Sequence, residues 1–230
     1  MKVLAIHGSP RNIRSTTRRL VSLVLEGTEG EGVEAEIIDL CEFRITPCTS
    51  CDSCSLTGTC VFKDDFPSVS RRMADADIII LASPVYIDNV TGQMKVFFDR
   101  LADAIHYQVM AGKTGCSVAT THTSGGSGVV SYLNHVLNYL GVMTVGGMSI
   151  ATQGDPHAVE KEREHAYALG KKLVAAARLG YHDPVQEAEM EDNRLFFRAI
   201  VLENRDLRPD DYDRWVRMGW IREADRNTVK

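Results

Sequence analysis

Four cysteines fall within thirteen residues of this chain, Cys48, Cys51, Cys54 and Cys60, in a C-x2-C-x2-C-x5-C run. Thiolates this close in sequence can converge on one metal centre. The compact C-x2-C-x2-C core suits a cubane [4Fe–4S] cluster, because three adjacent ligands wrap one face of it. Zinc more often sits between two C-x2-C knuckles held far apart in sequence. In bacterial ferredoxins the fourth cysteine of such a run serves a second cluster, but here only Cys41 and Cys116 remain, too few for one. Cys60 is therefore expected to close the same site, with Gly58 in the spacer letting the chain turn back. A structural zinc knot, a disulfide pair or free surface thiols would use the same residues, and the sequence leaves these alternatives open.

Composition narrows the setting. With 230 residues, the chain can hold one full core and an appendage. Its hydrophobic content of 44% and charged content of 25% are those of a globular protein, and a net charge of −5 argues against nucleic acid as a main partner. The longest strong apolar run, residues 78–82, is far short of a membrane span. The N-terminus enters a strand pattern at once and lacks the shape of a signal peptide. A cytoplasmic setting is expected, where clustered cysteines read as metal or redox ligands before disulfides.

Short β-branched runs alternate with amphipathic segments. Strands are expected at 3–6, 34–40, 77–82, 115–121 and 143–150, and helices at 15–26, 64–76, 91–105, 129–140 and 156–179. That alternation predicts an α/β fold, a doubly wound five-stranded parallel sheet with helices on both faces. The cysteine-rich insertion, residues 44–63, replaces a simple connection after the second strand. The sheet domain is expected over 1–180, followed by a charged helical C-terminal extension over 181–230 with a helix at 184–204. The extension reads equally as a segment packed on its own domain or as an oligomerisation arm.

Three loops are expected at the carboxyl edge of the sheet, where doubly wound folds bind ligands. The first, from His7 to Thr17, joins a strand to a helix start and carries Ser9, Arg11, Ser15, Thr16 and Thr17. Free N–H groups, hydroxyls and an arginine there make an anion site. It is neither G-x-G-x-x-G nor G-x4-G-K-[ST], so a single terminal phosphate fits better than a pyrophosphate. The second loop, residues 83–90, holds Pro84, Val85, Tyr86 and Asn89 and presents an aromatic face. The third, residues 121–128, holds Thr121, His122, Ser124, Gly125 and Gly126, and its glycines admit close approach to a ring. Together the three loops describe a flavin mononucleotide pocket. His122 is the one acid–base candidate among them. No Ser-His-Asp set is visible along the chain.

The segments HGSPR…STTRRL, CTSCDSCSLTGTCVFKDDF and ASPVYIDNVTGQMKVFFDRL resemble the iron–sulfur flavoproteins, of the flavodoxin-like NADPH-dependent FMN reductase group. The resemblance covers residues 1–175. It implies a flavodoxin-like fold binding FMN, with a [4Fe–4S] cluster on Cys48, Cys51, Cys54 and Cys60. By motif position, Ser9, Arg11, Ser15, Thr16 and Thr17 would surround the phosphate. Pro84, Val85, Tyr86 and Asn89 would lie along the isoalloxazine, and Thr121, Ser124, Gly125 and Gly126 along its other edge. It also implies a homodimer or homotetramer. The chain departs from the family at Ile13-Arg14-Ser15, where members often carry a Gly-Asn pair. The expected function is an FMN-dependent oxidoreductase that transfers electrons between the cluster, FMN and a small-molecule acceptor. Its donor would be a ferredoxin-like protein or NAD(P)H. The competing readings are a cluster-free NAD(P)H-dependent FMN or quinone reductase, and a non-enzymatic flavin-binding or metal-sensing module.

Overall fold

The computed structural model describes residues 1–221; the last nine residues of the expected extension lie outside the described residues. Five strands, β1 (Lys2–His7), β2 (Glu34–Asp39), β3 (Ile78–Pro84), β4 (Thr114–Thr121) and β5 (Met143–Ala151), form one parallel sheet in the order β2-β1-β3-β4-β5. This is the strand order of flavodoxin-like sheets. β3, a continuous apolar run, and β4, built largely of small residues, are buried along almost their whole length, as central strands covered on both faces should be, whereas edge strand β2 exposes its first half.

The strands' two-residue alternation sorts their side chains into two cores. Leu4, Ile6, Ile79 and Leu81 face α3 (Phe66–Asp75), α4 (Gly92–Arg100) and α5 (Gly126–Tyr139), meeting Met73, Met94, Phe97 and Leu133. Val3, Ala5, Ile78 and Ile80 face the other way, onto α1 (Thr16–Glu26) and α7 (Arg163–Leu179), meeting Leu20, Val24, Leu169 and Leu173. Helices α1 and α7 cross at backbone contact: a Cβ on Gly170 would lie 2.0 Å from the Val24 carbonyl oxygen. Two further helices occur in the first 180 residues, α2 (Ser53–Thr57) inside the cysteine insertion and α6 (Ala158–Lys161).

The structure corrects several expected elements. The helix expected over 91–105 stops at Arg100 and continues as turns. On a helix Tyr107 and Met110 would share a face. Instead Met110 enters the sheet-side core and Tyr107 a separate cluster with Phe197, Val201, Trp215 and Ile221, so the backbone unwinds to serve both. The helix expected over 156–179 breaks at Glu162 into α6 and α7. The extension forms α8 (Pro184–Glu203) and an unforeseen α9 (Pro209–Arg217).

This extension packs on its own chain. Asp183 caps α8 by accepting from the N–H groups of Val185 and Gln186. Gln186 then covers the free edge of β5, accepting from Thr144 N–H at 2.8 Å and donating to its carbonyl at 2.9 Å.

Gly170→Ala should lower stability by about 1–3 kcal/mol, because the crowding is against backbone that cannot move aside. Gly128→Ala, whose Cβ would meet nothing within 4 Å, should raise it by up to about 1 kcal/mol. Thermal midpoints of the two variants measured side by side test the opposite signs.

Candidate functional site

The carboxyl ends of β1, β3, β4 and β5 surround a cavity of about 270 Å³. Of the residues singled out in the sequence, it is lined by Ser9, Arg11, Ser15, Thr16, Thr17, Pro84, Val85, Tyr86, Thr121 and His122; Thr120 and Thr152 complete the wall. The lining includes a guanidinium and several hydroxyls but no carboxylate, so it favours an anion.

Asn89, Ser124, Gly125 and Gly126 shape the loops around this cavity instead of lining it. Tyr86 and Asn89 exchange backbone hydrogen bonds, closing a tight turn, and the Asn89 side chain accepts from Val90 N–H. Ile87 and Asp88 at its tip have φ of +50° and +54°, a strained conformation for a β-branched residue. The Ser124 carbonyl accepts from the Thr121 hydroxyl at 2.6 Å. Gly125, at φ +81°, lies so close to the Asp88 carboxylate that a Cβ would come within 2.5 Å of it. The glycine loop is thus seated against the aromatic loop, which leaves Tyr86 46% exposed at the cavity rim.

Behind the first loop is a group the linear sequence concealed. His7 and Asp39 are register partners on β1 and β2. His7 Nδ1 lies 2.7 Å from Asp39 Oδ1, and its Nε2 lies 3.1 Å from Ser15 Oγ. Asp39 also accepts from Arg18 Nε at 2.9 and 3.2 Å. Burial lowers the His7 pKa against the opposing pull of Asp39. In its neutral form the ring can donate from Nδ1 to Asp39 and accept the Ser15 hydroxyl proton at Nε2. Ser15 Oγ in turn accepts from Arg18 N–H as the cap of α1. A serine, a histidine and an aspartate do come together, a set that no motif along the sequence displays. All three are buried, and the serine oxygen serves as a cap. The set fixes the start of α1 so that its first free N–H groups border the cavity.

The cysteine loop is held shut at its base. Asp64 and Arg100, each with its side chain only 1% exposed, pair at 2.6 Å. Arg100 also donates to the Thr46 carbonyl at 2.8 Å, and Asp64 accepts from Thr46 N–H at 2.8 Å. The guanidinium lies over the rings of Phe62 and Phe66 and reaches the Cys60 sulfur. Burial works against the Asp64 charge, but Arg100 and the N–H groups of Thr46 and Phe66 more than offset it, holding the carboxyl at about 2.

Above this base the loop carries Ser50, Asp52 and Gly58 in the left-handed region, and Ser50 N–H donates to Cys48 Sγ at 3.4 Å. All six cysteines are free thiols. Cys48 and Cys51 are exposed, and Cys54 and Cys60 are half-buried. Burial, with Asp103 nearby, pushes the Cys54 thiol up to about 11. Among the described residues, the ligating side chains gathered within 4.8 Å of one another are Asp103, His106 and Asp211, not the four thiols. Four free thiols on one curled loop, with the Ser50 N–H turned toward the Cys48 sulfur, are a donor set that fits an iron–sulfur cluster. A larger cavity of about 580 Å³ opens beside Cys48, between the cysteine loop, α4 and α5, with Phe98, Ile105, Tyr132 and Tyr139 on its walls.

Comparison with known proteins bears on the family and the fold. The family model described as NADPH-dependent FMN reductase matches residues 1–156. An iron–sulfur flavoprotein of Archaeoglobus fulgidus is 31% identical over 223 residues, spanning 96% of this chain and 100% of that protein. Another, from Methanocaldococcus jannaschii, is 35% identical over 193 residues, spanning 78% of this chain and 98% of that one. Among solved structures, an NAD(P)H:quinone oxidoreductase from Methanothermobacter marburgensis superposes with a TM-score of 0.60 at 17% identity, covering 80% of this chain and 98% of its own. An NADH:FMN oxidoreductase in apo form gives 0.57 at 23% identity, covering 80% and 92%. These two show the fold alone.

Arg100→Met should cost about 3–5 kcal/mol, since it strands a buried carboxylate, and should make residues 44–65 the first site of limited proteolysis. The stability Asp64 contributes is fully present above its ordinary value near 3.8 and is lost as pH falls through about 2. Asp64→Asn should therefore flatten the pH dependence of the thermal midpoint between pH 4 and about 2, which a melting series in that window checks.

Proposed function

The chain belongs to the NADPH-dependent FMN reductase family and, within it, to the iron–sulfur flavoproteins, and from that premise we propose that it is an electron converter with FMN at the sheet edge and a [4Fe–4S] cluster on Cys48, Cys51, Cys54 and Cys60. It is an FMN-dependent oxidoreductase. The observation that carries the finer reading is the pairing of two built sites on one scaffold: an anion-favouring cavity at the strand ends and a closed loop of free thiols. When bound, a flavin exchanges electrons in pairs or singly and an iron–sulfur cube exchanges them one at a time.

The chain's own residues bind, orient and shield. The first-turn N–H groups of α1, the hydroxyls of Ser9, Thr16 and Thr17 and the Arg11 guanidinium would hold the phosphate. Pro84 and Val85 line the cavity and would give the ring a rigid apolar wall, and the half-exposed Tyr86 at the rim would pack against it. Thr121 and His122 border the cavity from β4. Arg100 and Asp64 hold the loop that presents the thiolates. The donor is a one-electron protein of ferredoxin type or NAD(P)H, and the acceptor is a small molecule. Assembly as a homodimer or homotetramer belongs to the same proposal. Among the described residues, no helix is long and apolar enough to cross a membrane.

An anaerobic reductive titration tests the proposal. About three electrons per chain, two for the flavin and one for the cluster, is the expected endpoint. An endpoint of about two electrons per chain, with full turnover of NAD(P)H, would replace it with a cluster-free reductase. Separately, His7→Gln should weaken FMN about tenfold while changing riboflavin little, because the loss lies in the phosphate loop. Flavin fluorescence titrations of both ligands give the ratio.

A further inference from the structure

The C-terminal extension meets the cysteine loop through a buried polar junction. Helix α9 packs on α2, the short helix that carries Cys54. From the residue preceding α9, Arg208 Nη1 shares its two N–H groups among three acceptors, Asp211 Oδ2 at 2.8 Å, His106 Nδ1 at 2.9 Å and Ser55 Oγ at 3.2 Å. Ser55 Oγ in turn donates to Asp103 Oδ1 at 3.0 Å. Asp103 and His106 belong to the turn segment after α4, so one guanidinium ties the extension, the cysteine helix and that segment together. Asp210 lies against Gly58, close enough that a Cβ there would come within 2.7 Å of its carboxylate. Trp215, fully buried, fastens the same helix by donating from Nε1 to the His106 carbonyl at 3.0 Å.

Asp103, His106 and Asp211 have the spacing of a cation site. Arg208 already stands among them as the cation, so a metal ion would have to displace it. Asp211 shows how much rests on that guanidinium: it is fully buried, and its Oδ1 has no hydrogen-bond partner among the described residues. Without Arg208 the carboxylate would be a stranded buried charge.

We propose that residues 184–221 are a clamp on the cysteine loop, and that Arg208 is the positioning residue which holds the α2 segment, and with it Cys54 and Cys60, in the ligand-presenting arrangement. The loop needs such a hold, because Ser50 and Asp52 sit in left-handed backbone that only surrounding contacts can maintain. The base, closed by Arg100, and the tip, closed by Arg208, then restrain it from both ends. The clamp's bearing on a cluster rests on the reading proposed above; its bearing on loop order does not.

The test uses the full-length protein, prepared anaerobically as wild type, Arg208→Met, Arg208→Lys and Ser55→Ala. Hydrogen exchange of the amides of residues 50–58 should quicken about tenfold in Arg208→Met, the size of one lost charge-assisted hydrogen bond, with Arg208→Lys recovering part of the protection. Iron loss to a chelator should quicken by a similar factor while FMN content stays at the wild-type level. Exchange in residues 50–58 that matches wild type in both Arg208→Met and Ser55→Ala would overturn the clamp. If Arg208→Met fails to fold, faster exchange in Ser55→Ala supports the clamp and unchanged exchange rejects it. Wild-type protein without iron would reject the cluster reading, and the exchange comparison would still decide the clamp.

Discussion

The buried pair of Asp64 and Arg100 is the interaction on which the cysteine site depends. Removing two charges from water costs several kcal/mol per ion, and a close contact alone rarely recovers it. Here the guanidinium is shared among the Asp64 carboxylate, the Thr46 carbonyl and two aromatic faces, and the carboxylate among Arg100 and two backbone N–H groups. These contacts bring residues on either side of the insertion to one point. The chain can then leave the sheet after β2, display four thiols and return into α3 without disturbing strand order. The pair contributes geometry more than net stability.

Helix α4 connects the two sites. At its start, Thr91 caps the helix and donates to the Gly8 carbonyl at 2.5 Å, joining it to the loop that borders the anion cavity. At its end stands Arg100. Nine residues of helix span about 14 Å, so both sites are referred to one short rigid rod. Between its ends Met94, Phe97 and Phe98 are buried in the sheet-side core, which fixes the rod's rotation and so the direction of Arg100. The electron-converter proposal needs that rigidity, because the protein's part in such chemistry is to hold the cofactors in place and tune them.

Much of this was legible in the sequence, for physical reasons. Short β-branched runs alternating with amphipathic segments marked the strands, and each strand's carboxyl end pointed to the loops that border the cavity. What stayed hidden required contacts between distant segments. His7 and Asp39 are thirty-two residues apart and become neighbours only through the parallel register. Arg100 reads as one more charge on an amphipathic helix until Asp64 folds back onto it. The polar candidates Asn89 and Ser124 carry side chains or carbonyls that close their own turns, an outcome that residue type alone does not separate from ligand contact. Helix α9 was obscured by its charge density, and its one large apolar anchor, Trp215, has meaning only against Tyr107 and Phe197.

The central claim is that one chain holds both a flavin and an iron–sulfur cube. Iron, acid-labile sulfide and FMN measured per chain in protein purified without oxygen test it most directly. The account predicts about four irons, matching sulfide and one FMN per chain, with broad absorbance near about 400 nm. One FMN with zinc, or with no metal on the four thiols, would contradict it.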